Sequence, residues 1–227
     1  MTRPTVAEIN LSAIRKNLKK IKSLSKGSLI YPVVKANAYG HGYKEVVKEI
    51  ENLVNGLSVA TTEEAFEIRK ITNKSILCME GPYDQKELDL LIKNKIDLVI
   101  HSKRQIEFIE SIGRFPKETK VWIKVDTGMN RLGFKEEEII DAYKQLHAKT
   151  KKIVLMSHFS SAAGTKSSKI NSKKQIDSFN KIVFQSYDEL KKTIYELSEE
   201  LKDLSQRAQI KKLKPNEMTG GTFTISS

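Results

Sequence analysis

A lysine that directly follows a predicted buried strand is the first candidate for chemistry in this sequence. The apolar run 29–34 predicts a fully buried strand, and Lys35 stands at its carboxyl end, before the turn residues Asn37, Gly40 and Gly42. In barrel enzymes the reacting groups gather at that end of the strands. Partial burial there favours a neutral amine, which can act as a nucleophile or as a base. Alternatively, the long side chain of Lys35 simply carries its charge from the strand end into water.

Two further basic side chains follow later apolar runs. Arg131 lies in the glycine-containing loop after the run 120–125, where a guanidinium could hold a phenolate or carboxylate oxygen in a fixed fork. It could equally be a surface arginine in that loop. His158 directly follows the run 152–157, and a lone histidine at a strand end is usually structural. Residue type and position therefore leave both interpretations open for these two side chains.

A repeating strand–helix pattern positions these residues. Short apolar runs alternate with amphipathic segments about every 20 to 25 residues, and the predicted strands are 29–34, 56–60, 75–79, 97–100, 120–125 and 152–157. The helices between them are predicted to begin near Tyr43, at Thr61 or Thr62, and near Asp84, Ser102 and Glu136. Such alternation predicts βαβ units and a parallel sheet. Six units form most of a (β/α)8 barrel; a doubly wound open sheet is the alternative, but no GxGxxG motif follows any strand.

The two ends of the chain break this pattern. Residues 5–11 alternate like a short half-buried strand, with Ser12 as the predicted N-cap of a helix. At the other end, apolar residues from Tyr187 to Ala208 recur at alternating spacings of 3 and 4, which predicts one long amphipathic helix. Residues 220–226 then predict a turn into a short strand.

Composition and charge exclude several classes of protein. Hydrophobic residues make up 39% and charged residues 30%, no apolar run approaches the ~20 residues of a membrane span, and no secretory signal is recognisable. The single cysteine, Cys78, fits a reducing cytosol, so we expect a cytoplasmic protein. The net charge of +12 suggests nucleic-acid binding, but 40 basic residues are interleaved with 28 acidic ones and no recognition motif or zinc spacing is present. We therefore expect no nucleic-acid, membrane or metal partner.

Three stretches resemble the motifs of one enzyme family. The stretch at the carboxyl end of the first strand reads VVKANAYGHG and closely resembles the cofactor-lysine motif of the alanine racemases, which are fold-type III enzymes that use pyridoxal 5'-phosphate (PLP). The stretch KVDTGMNRLGF resembles their second motif, and MSHFSSAAG resembles their third. In the third, the family usually has an acidic pair where Ala163 and Gly164 stand here, so the resemblance weakens at that point.

The resemblance implies a role for each matched residue. Lys35 would form the Schiff base with PLP and act as a catalytic base, and Tyr39 would reach the cofactor phosphate. Arg131 would contact the substrate carboxylate and the phenolic oxygen of PLP, and His158 would lie near the pyridine ring. Lys124 matches a position that is carbamylated in some members, where the new anion holds the arginine.

The resemblance ends near residue 185. Residues 190–226 instead resemble an internal piece of the catalytic domain of dihydrolipoamide acyltransferases, without the catalytic histidine of that family. We therefore expect an α/β protein with an incomplete PLP-binding (β/α)8 barrel of about six units at 1–185, and a helix–turn–strand tail at 186–227. A gene fusion, a rearranged pseudogene or a chimera would each produce such a join.

The expected function is PLP-dependent interconversion of L- and D-alanine, which supplies D-alanine for peptidoglycan. Members of the family are homodimers, and the part that builds the dimer and supplies a second catalytic base, a tyrosine, has no counterpart in these 227 residues. We therefore expect impaired racemisation. Three alternatives remain: an inactive barrel remnant, a non-catalytic PLP-binding protein, and an interaction module that joins an acyltransferase assembly through the tail.

Overall fold

The computed structural model describes residues 6–25, 27–191 and 222–223, in which helices and strands alternate along the chain. The helices are α1 (Leu11–Leu24), α2 (Lys35–Tyr39, a single turn), α3 (Tyr43–Ile50), α4 (Thr62–Arg69), α5 (Gln85–Lys93), α6 (Lys103–Glu110), α7 (Ile139–Lys149) and α8 (Lys166–Lys191). The strands are β1 (Leu29–Ile30), β2 (Gly56–Val59), β3 (Ser75–Cys78), β4 (Asp97–Ile100), β5 (Val121–Lys124), β6 (Ile153–Met156) and β7 (Thr222–Phe223). In this part of the chain, none of the helices combines the length and apolarity that a membrane span requires.

Five strands form one parallel sheet in chain order, β2-β3-β4-β5-β6, as the alternating pattern predicts. The segment after β1 continues along the free side of β2, where the Val34 N–H donates to the Ser58 carbonyl at 2.8 Å and the Ser58 N–H donates to the Pro32 carbonyl at 2.8 Å. Six βα units thus stand side by side. This arrangement confirms the expected α/β fold, an incomplete barrel of parallel strands.

The first predicted strand is shorter than expected. Residues 29–34 were predicted as one strand, whereas β1 comprises only Leu29–Ile30, followed by an isolated bridge between Val33 and Ser58. Pro32 interrupts the ladder because it has no N–H group to donate. The chain nevertheless stays beside β2 up to Val34, so Lys35 still stands at a strand end.

The two faces of the sheet bury different sets of side chains. In β4, Leu98 and Ile100 join the large core between the sheet and its helices, while Val99 faces the other way. The opposite, inner face holds a second apolar cluster, composed of Tyr31, Leu77, Val99, Trp122 and Met156. Because side chains alternate along each strand, this cluster identifies which residue at each strand end faces the barrel interior.

The N-terminal prediction is wrong in two respects. Residues 6–10 form no strand, because the described part of the chain offers them no neighbouring strand, and Val6 is 79% exposed. The N-cap of α1 is Asn10 rather than Ser12: the Asn10 side chain accepts a hydrogen bond from the Ala13 N–H at 3.0 Å. Asparagine caps helices as well as serine does, so the earlier residue starts the helix.

Other helix starts agree with the sequence. Thr61 is the N-cap of α4 and forms a capping box with Glu64, and Asp84 caps α5. The predicted helix 136–146 begins as a short 3₁₀ turn, Glu136–Glu138, and continues as α7.

The tail is described only at its two ends. The boundary expected after residue 185 falls within α8, which continues to Lys191, and the remainder of the predicted tail helix lies outside the described residues. Of the strand predicted at 221–226, Thr222 and Phe223 form β7. This strand pairs in parallel with Leu29 and Ile30 of β1, at an edge of the barrel.

Candidate functional site

The carboxyl ends of the strands bring basic side chains together on the inner face. In β5, Trp122 belongs to the inner cluster, so Lys124, two residues later, faces the same side. In the same way, His158 follows Met156 at the end of β6. Lys124 is only 6% exposed, although it carries an amine. Polar side chains therefore line the inner surface at this end, above the apolar cluster.

Lys35 begins a turn with unusual backbone geometry. Ala36, Asn37 and Ala38 have φ values of 50°, 55° and 54° with ψ between 45° and 51°, and Tyr39 has a φ of 53°. Four consecutive non-glycine residues thus occupy the left-handed region, at a cost of roughly 1–2 kcal/mol per residue. Only asparagine among them favours this region. Such strain persists when surrounding contacts enforce it, and it concentrates at functional sites.

Hydrogen bonds on both sides hold this turn. The Ala38 N–H donates to the Val34 carbonyl at 3.0 Å, and the Gly42 N–H donates to the Asn37 carbonyl at 3.0 Å. The Asn37 side chain accepts from the Tyr43 N–H at 2.9 Å, at the start of α3. The turn therefore connects the end of the first βα strand to α3 with little freedom.

The turn also fixes the relation between the first two site residues. The Lys35 Nζ atom lies 6.0 Å from the centre of the Tyr39 ring, within the range of a cation–π contact. Lys35 is half-buried and Tyr39 is exposed. The motif residues Lys35 and Tyr39 thus lie together at the mouth.

The loop that carries Arg131 is closed on itself. The Phe134 N–H donates to the Lys124 carbonyl at 2.8 Å, and the Asp126 N–H donates to the Phe134 carbonyl at 2.9 Å. Gly133, with a φ of +131°, is required at this crossing, because a Cβ atom there would lie 2.7 Å from the Asp126 nitrogen. This closure returns Arg131, an exposed residue, towards the end of β5.

A buried glutamine connects the last two loops. Gln175 of α8 is 5% exposed, and its Nε2 donates to the His158 carbonyl at 2.9 Å and to Thr127 Oγ1 at 3.2 Å. Its Oε1 accepts from both the N–H and the hydroxyl of Ser160, at 2.9 and 3.0 Å. One amide therefore satisfies four hydrogen bonds and fixes the loop after β5 against the loop after β6.

The basic groups at the mouth lie close enough to repel one another. Burial lowers the pKa of Lys124, and the charges of Arg131 and Lys35 lower it further, against the opposite effects of Asp126 and Glu80. The local environment therefore favours the neutral amine of Lys124.

The pKa of His158 shifts for the same reasons. Burial lowers it first, and the charges of Lys124, Arg131 and Lys35 follow in that order. All the basic residues that the sequence singled out thus interact electrostatically within one site.

Sequence reasoning missed one inner-face residue of this site. His101 follows β4 directly, two residues after Val99, and its Nε2 lies 3.0 Å from the Glu80 carbonyl. Burial lowers the pKa of His101, as does the nearby charge of Lys124, while the Glu80 contact opposes them. The signal that identified Lys35, a polar residue just after a buried run, would also have identified His101.

The composition of the site is consistent with PLP. Among the described residues, no group of three or more His, Cys, Asp and Glu side chains could hold a metal ion. PLP presents a phosphate and a phenolate, both anionic, and an aldehyde that reacts with a neutral amine. Arg131 supplies a complementary charge and Lys35 a candidate amine, and both act electrostatically on the buried Lys124. The residues present therefore fit the group that the first motif implies.

Family comparison gives two matches. Residues 9–198 match the family model of the alanine racemase N-terminal domain. Residues 183–227 match the catalytic domain of the 2-oxoacid dehydrogenase acyltransferases, over a short segment that lies mainly outside the described residues. Both resemblances inferred from the sequence are thereby confirmed, and the two matches overlap at 183–198.

Among curated proteins, an alanine racemase of Shewanella sediminis is 38% identical over 181 residues, which are 78% of this chain and 49% of that protein. An alanine racemase of Coxiella burnetii is 38% identical over 166 residues, 71% of this chain and 45% of that protein. The chain spans about half the length of the curated relatives it matches.

Solved structures agree in fold. The biosynthetic alanine racemase of Pseudomonas aeruginosa superposes with a TM-score of 0.72 at 34% identity, covering 80% of this chain and 51% of that one. An alanine racemase of Clostridium difficile 630 superposes with a TM-score of 0.67 at 36% identity, covering 83% and 50% of the two chains. The incomplete barrel thus corresponds to about half of each structure.

Proposed function

This chain belongs to the alanine racemase N-terminal domain family, whose members are PLP-dependent, and we propose that it forms the PLP-binding barrel of an enzyme that interconverts L- and D-alanine. The observation that carries this proposal is the cluster at the mouth, where Lys35, Lys124 and Arg131 all interact electrostatically with His158. A cluster of like charges is costly unless an anionic ligand neutralises it. The family motifs assign that ligand to PLP.

Four residues would hold the cofactor. Lys35 would bind its aldehyde covalently through Nζ, and the hydroxyl of Tyr39 would donate to the phosphate. Arg131 would hold the phenolic oxygen and the substrate carboxylate, since a planar guanidinium bonds two oxygens in a fixed fork. His158 would lie beside the pyridine ring. The support for these roles is the motif match together with the common location of the four residues at the mouth.

Lys35 would also move the proton. When bound, PLP withdraws electrons from the Cα–H bond of alanine. Once the amine of alanine had displaced Lys35 from the cofactor aldehyde, the released Nζ would accept the Cα proton on one face and return it. Racemisation needs a second acid–base group on the opposite face, because one base returns the proton to the side it left. No motif-matched residue of these 227 supplies that group, so we expect weak racemisation from this chain acting alone.

Lys124 would support Arg131. Burial and neighbouring cations favour its neutral amine, which is the form that attacks carbon dioxide. The attack forms an N–C bond, releases one proton to water and converts the neutral amine into an anionic carbamate. The resulting carbamate would hold the guanidinium of Arg131 by a charge-assisted contact. This role follows the family position that Lys124 matches, and the lowered pKa supports it.

The test is covalent trapping. The purified protein is incubated with PLP, reduced with borohydride, digested, and examined by mass spectrometry. We expect one dominant adduct at Lys35, which disappears in Lys35→Ala and persists in Lys44→Ala, a change at an exposed lysine of α3. Adducts spread over many surface lysines, or no adduct at all, would overturn the proposal.

A second candidate is a PLP-binding barrel without catalysis. The observation that favours it is the incomplete covering of β6. Among the described residues this strand pairs with β5 alone, and its residues Ile153, Val154 and Leu155 are only partly buried. An incompletely covered strand leaves the cofactor pocket open to water, which weakens electrostatic contacts. A specific Lys35 adduct without measurable alanine racemisation would support this candidate.

A further inference from the structure

The carboxylate of Glu64 lies behind the lysine turn and contacts it directly. Its Oε1 accepts a hydrogen bond from the Ala36 N–H at 2.7 Å, the first backbone amide after Lys35. Glu64 lies 28 residues further along the chain, in the first turn of α4. A capping residue of one helix is thus bonded to the loop of a different βα unit.

The other oxygen of Glu64 is bound on the opposite side. Its Oε2 accepts from the Ala60 N–H at 2.8 Å and from the Thr61 N–H at 3.4 Å. In an ordinary capping box the glutamate only returns to the N-cap amide, which is Thr61 here. Glu64 does this and also joins the end of β2 to the lysine turn. The carboxylate therefore uses both oxygens as acceptors for three backbone N–H groups.

The position of this bond matters because the turn is strained. Ala36 is the first of four consecutive non-glycine residues with positive φ, and alanine has no local preference for that region. A strained backbone keeps its conformation only where its surroundings determine it. A hydrogen bond to an ionised acceptor at the first strained residue supplies such a constraint.

We propose that Glu64 is a positioning residue for Lys35: by holding the Ala36 amide, it maintains the left-handed turn that presents the lysine at the barrel mouth. The role of Lys35 as the point of PLP attachment rests on the proposed function. The role of Glu64 in holding the turn does not, because it concerns the backbone alone.

Three variants separate this role from helix capping. Glu64→Gln keeps the size of the side chain, but an amide presents an oxygen on only one side, so the other side directs an NH₂ at a backbone N–H. Glu63→Gln makes the same charge change in the same helical turn, at an exposed neighbour that does not bond to Ala36. Thr61→Ala removes the N-cap of α4, whose hydroxyl accepts from the Glu64 N–H at 3.4 Å, without removing the carboxylate.

The first measurement is hydrogen–deuterium exchange at the Ala36 amide in the protein without PLP. We expect Glu64→Gln to speed this exchange about tenfold to a hundredfold, as expected when a bond to an ionised acceptor is lost. Glu63→Gln and Thr61→Ala should leave it near the wild-type value. Unchanged exchange in Glu64→Gln, or equal acceleration in Thr61→Ala, would overturn the inference.

The second measurement is the yield of the borohydride-trapped adduct at Lys35, relative to adducts at exposed lysines of the same sample. We expect about a tenfold lower relative yield in Glu64→Gln and little change in the two controls. If the wild-type protein gives no specific adduct, the proposed function fails, while amide exchange at Ala36 still decides the role of Glu64. An Ala36 amide that exchanges faster without any loss of relative yield would overturn the positioning of Lys35.

Discussion

The two ends of the parallel sheet both carry polar side chains on the inner face, but those side chains interact in opposite ways. At the amino end, the Asp97 carboxylate accepts from the Ser75 hydroxyl at 2.6 Å and from the Lys120 N–H at 2.8 Å. The Lys120 amine in turn donates to the Tyr31 hydroxyl at 3.2 Å. A buried carboxylate and its hydrogen-bond donors thus satisfy one another at this end.

At the carboxyl end, like charges are brought together instead. Lys124 is buried within reach of the charges of Lys35 and Arg131, and burial followed by these three charges lowers the pKa of His158. In enzymes of this architecture, the amino end contributes stability and the carboxyl end carries the chemistry. The amino end thus holds the strands together, whereas the carboxyl end leaves basic groups close to one another, as the proposed anionic cofactor would require. Four substitutions, at three residues, test this contrast.

The largest effect on stability is expected at Asp97, which is only 3% exposed. Asp97→Ala leaves the Ser75 hydroxyl and the Lys120 N–H without their acceptor, so we expect the free energy of unfolding to fall by roughly 2–3 kcal/mol. Urea denaturation measures this directly. Asp89→Ala, at an exposed position of α5, should change the value by less than about 0.5 kcal/mol. Equal effects of the two substitutions would contradict the stabilising role of the amino end.

Asp97→Asn adds a test of pH dependence. Burial raises the pKa of Asp97 in the folded protein, against the bonds from Ser75 and Lys120. A carboxyl group whose pKa is raised in the folded protein stabilises the fold most at a pH below its unfolded pKa of about 3.9. This contribution is lost as the pH rises through the folded pKa. The wild-type protein should therefore lose stability relative to Asp97→Asn as the pH rises above about 4. A constant difference between the two proteins from pH 4 to 7 would contradict the shift.

A smaller effect on stability is expected at the carboxyl end, where a neutral amide rather than a charge fixes the loops. Gln175→Leu keeps the volume and the burial but removes four hydrogen bonds around His158, Thr127 and Ser160. We expect a loss of roughly 1–2 kcal/mol, since these partners are partly exposed and can bond to water. Amide exchange should accelerate at Ser160, whereas Lys174→Leu, at the exposed preceding residue, should leave it unchanged.

The strands and their order could be predicted because each apolar run is short and is followed by a clear helix start, as Thr61 shows after β2. The grouping of Lys35, Arg131 and His158 followed from the same rule, since the ends of parallel strands meet. The exact left-handed turn could not be predicted. Ala36 and Ala38 have no local preference for positive φ, and the turn depends on a contact with Glu64, which is distant in the sequence.

Two other features could not be predicted from the sequence, for related reasons. Gln175 belongs to an amphipathic pattern in which a polar residue normally faces water, and only the packing of α8 against two loops reveals its four hydrogen bonds. Residues 6–10 alternate like a strand, yet alternation supplies no partner, and a strand without a neighbour gains no ladder. In both cases the outcome depends on tertiary contacts, which a local sequence pattern does not contain.

The smallest expected effect measures the repulsion at the carboxyl end directly. Burial is the main cause of the lowered pKa of His158, and Arg131 contributes through its charge. Arg131→Gln removes that charge, so the pKa of His158 should rise towards its ordinary value, and only slightly, because burial remains. NMR titration of the His158 ring reports the change. Arg114→Gln, at an exposed arginine that is not among the causes of the His158 shift, is the matched control. If the two variants titrate alike, Arg131 does not act on the site through its charge, and the contrast between the two ends of the sheet rests on burial alone.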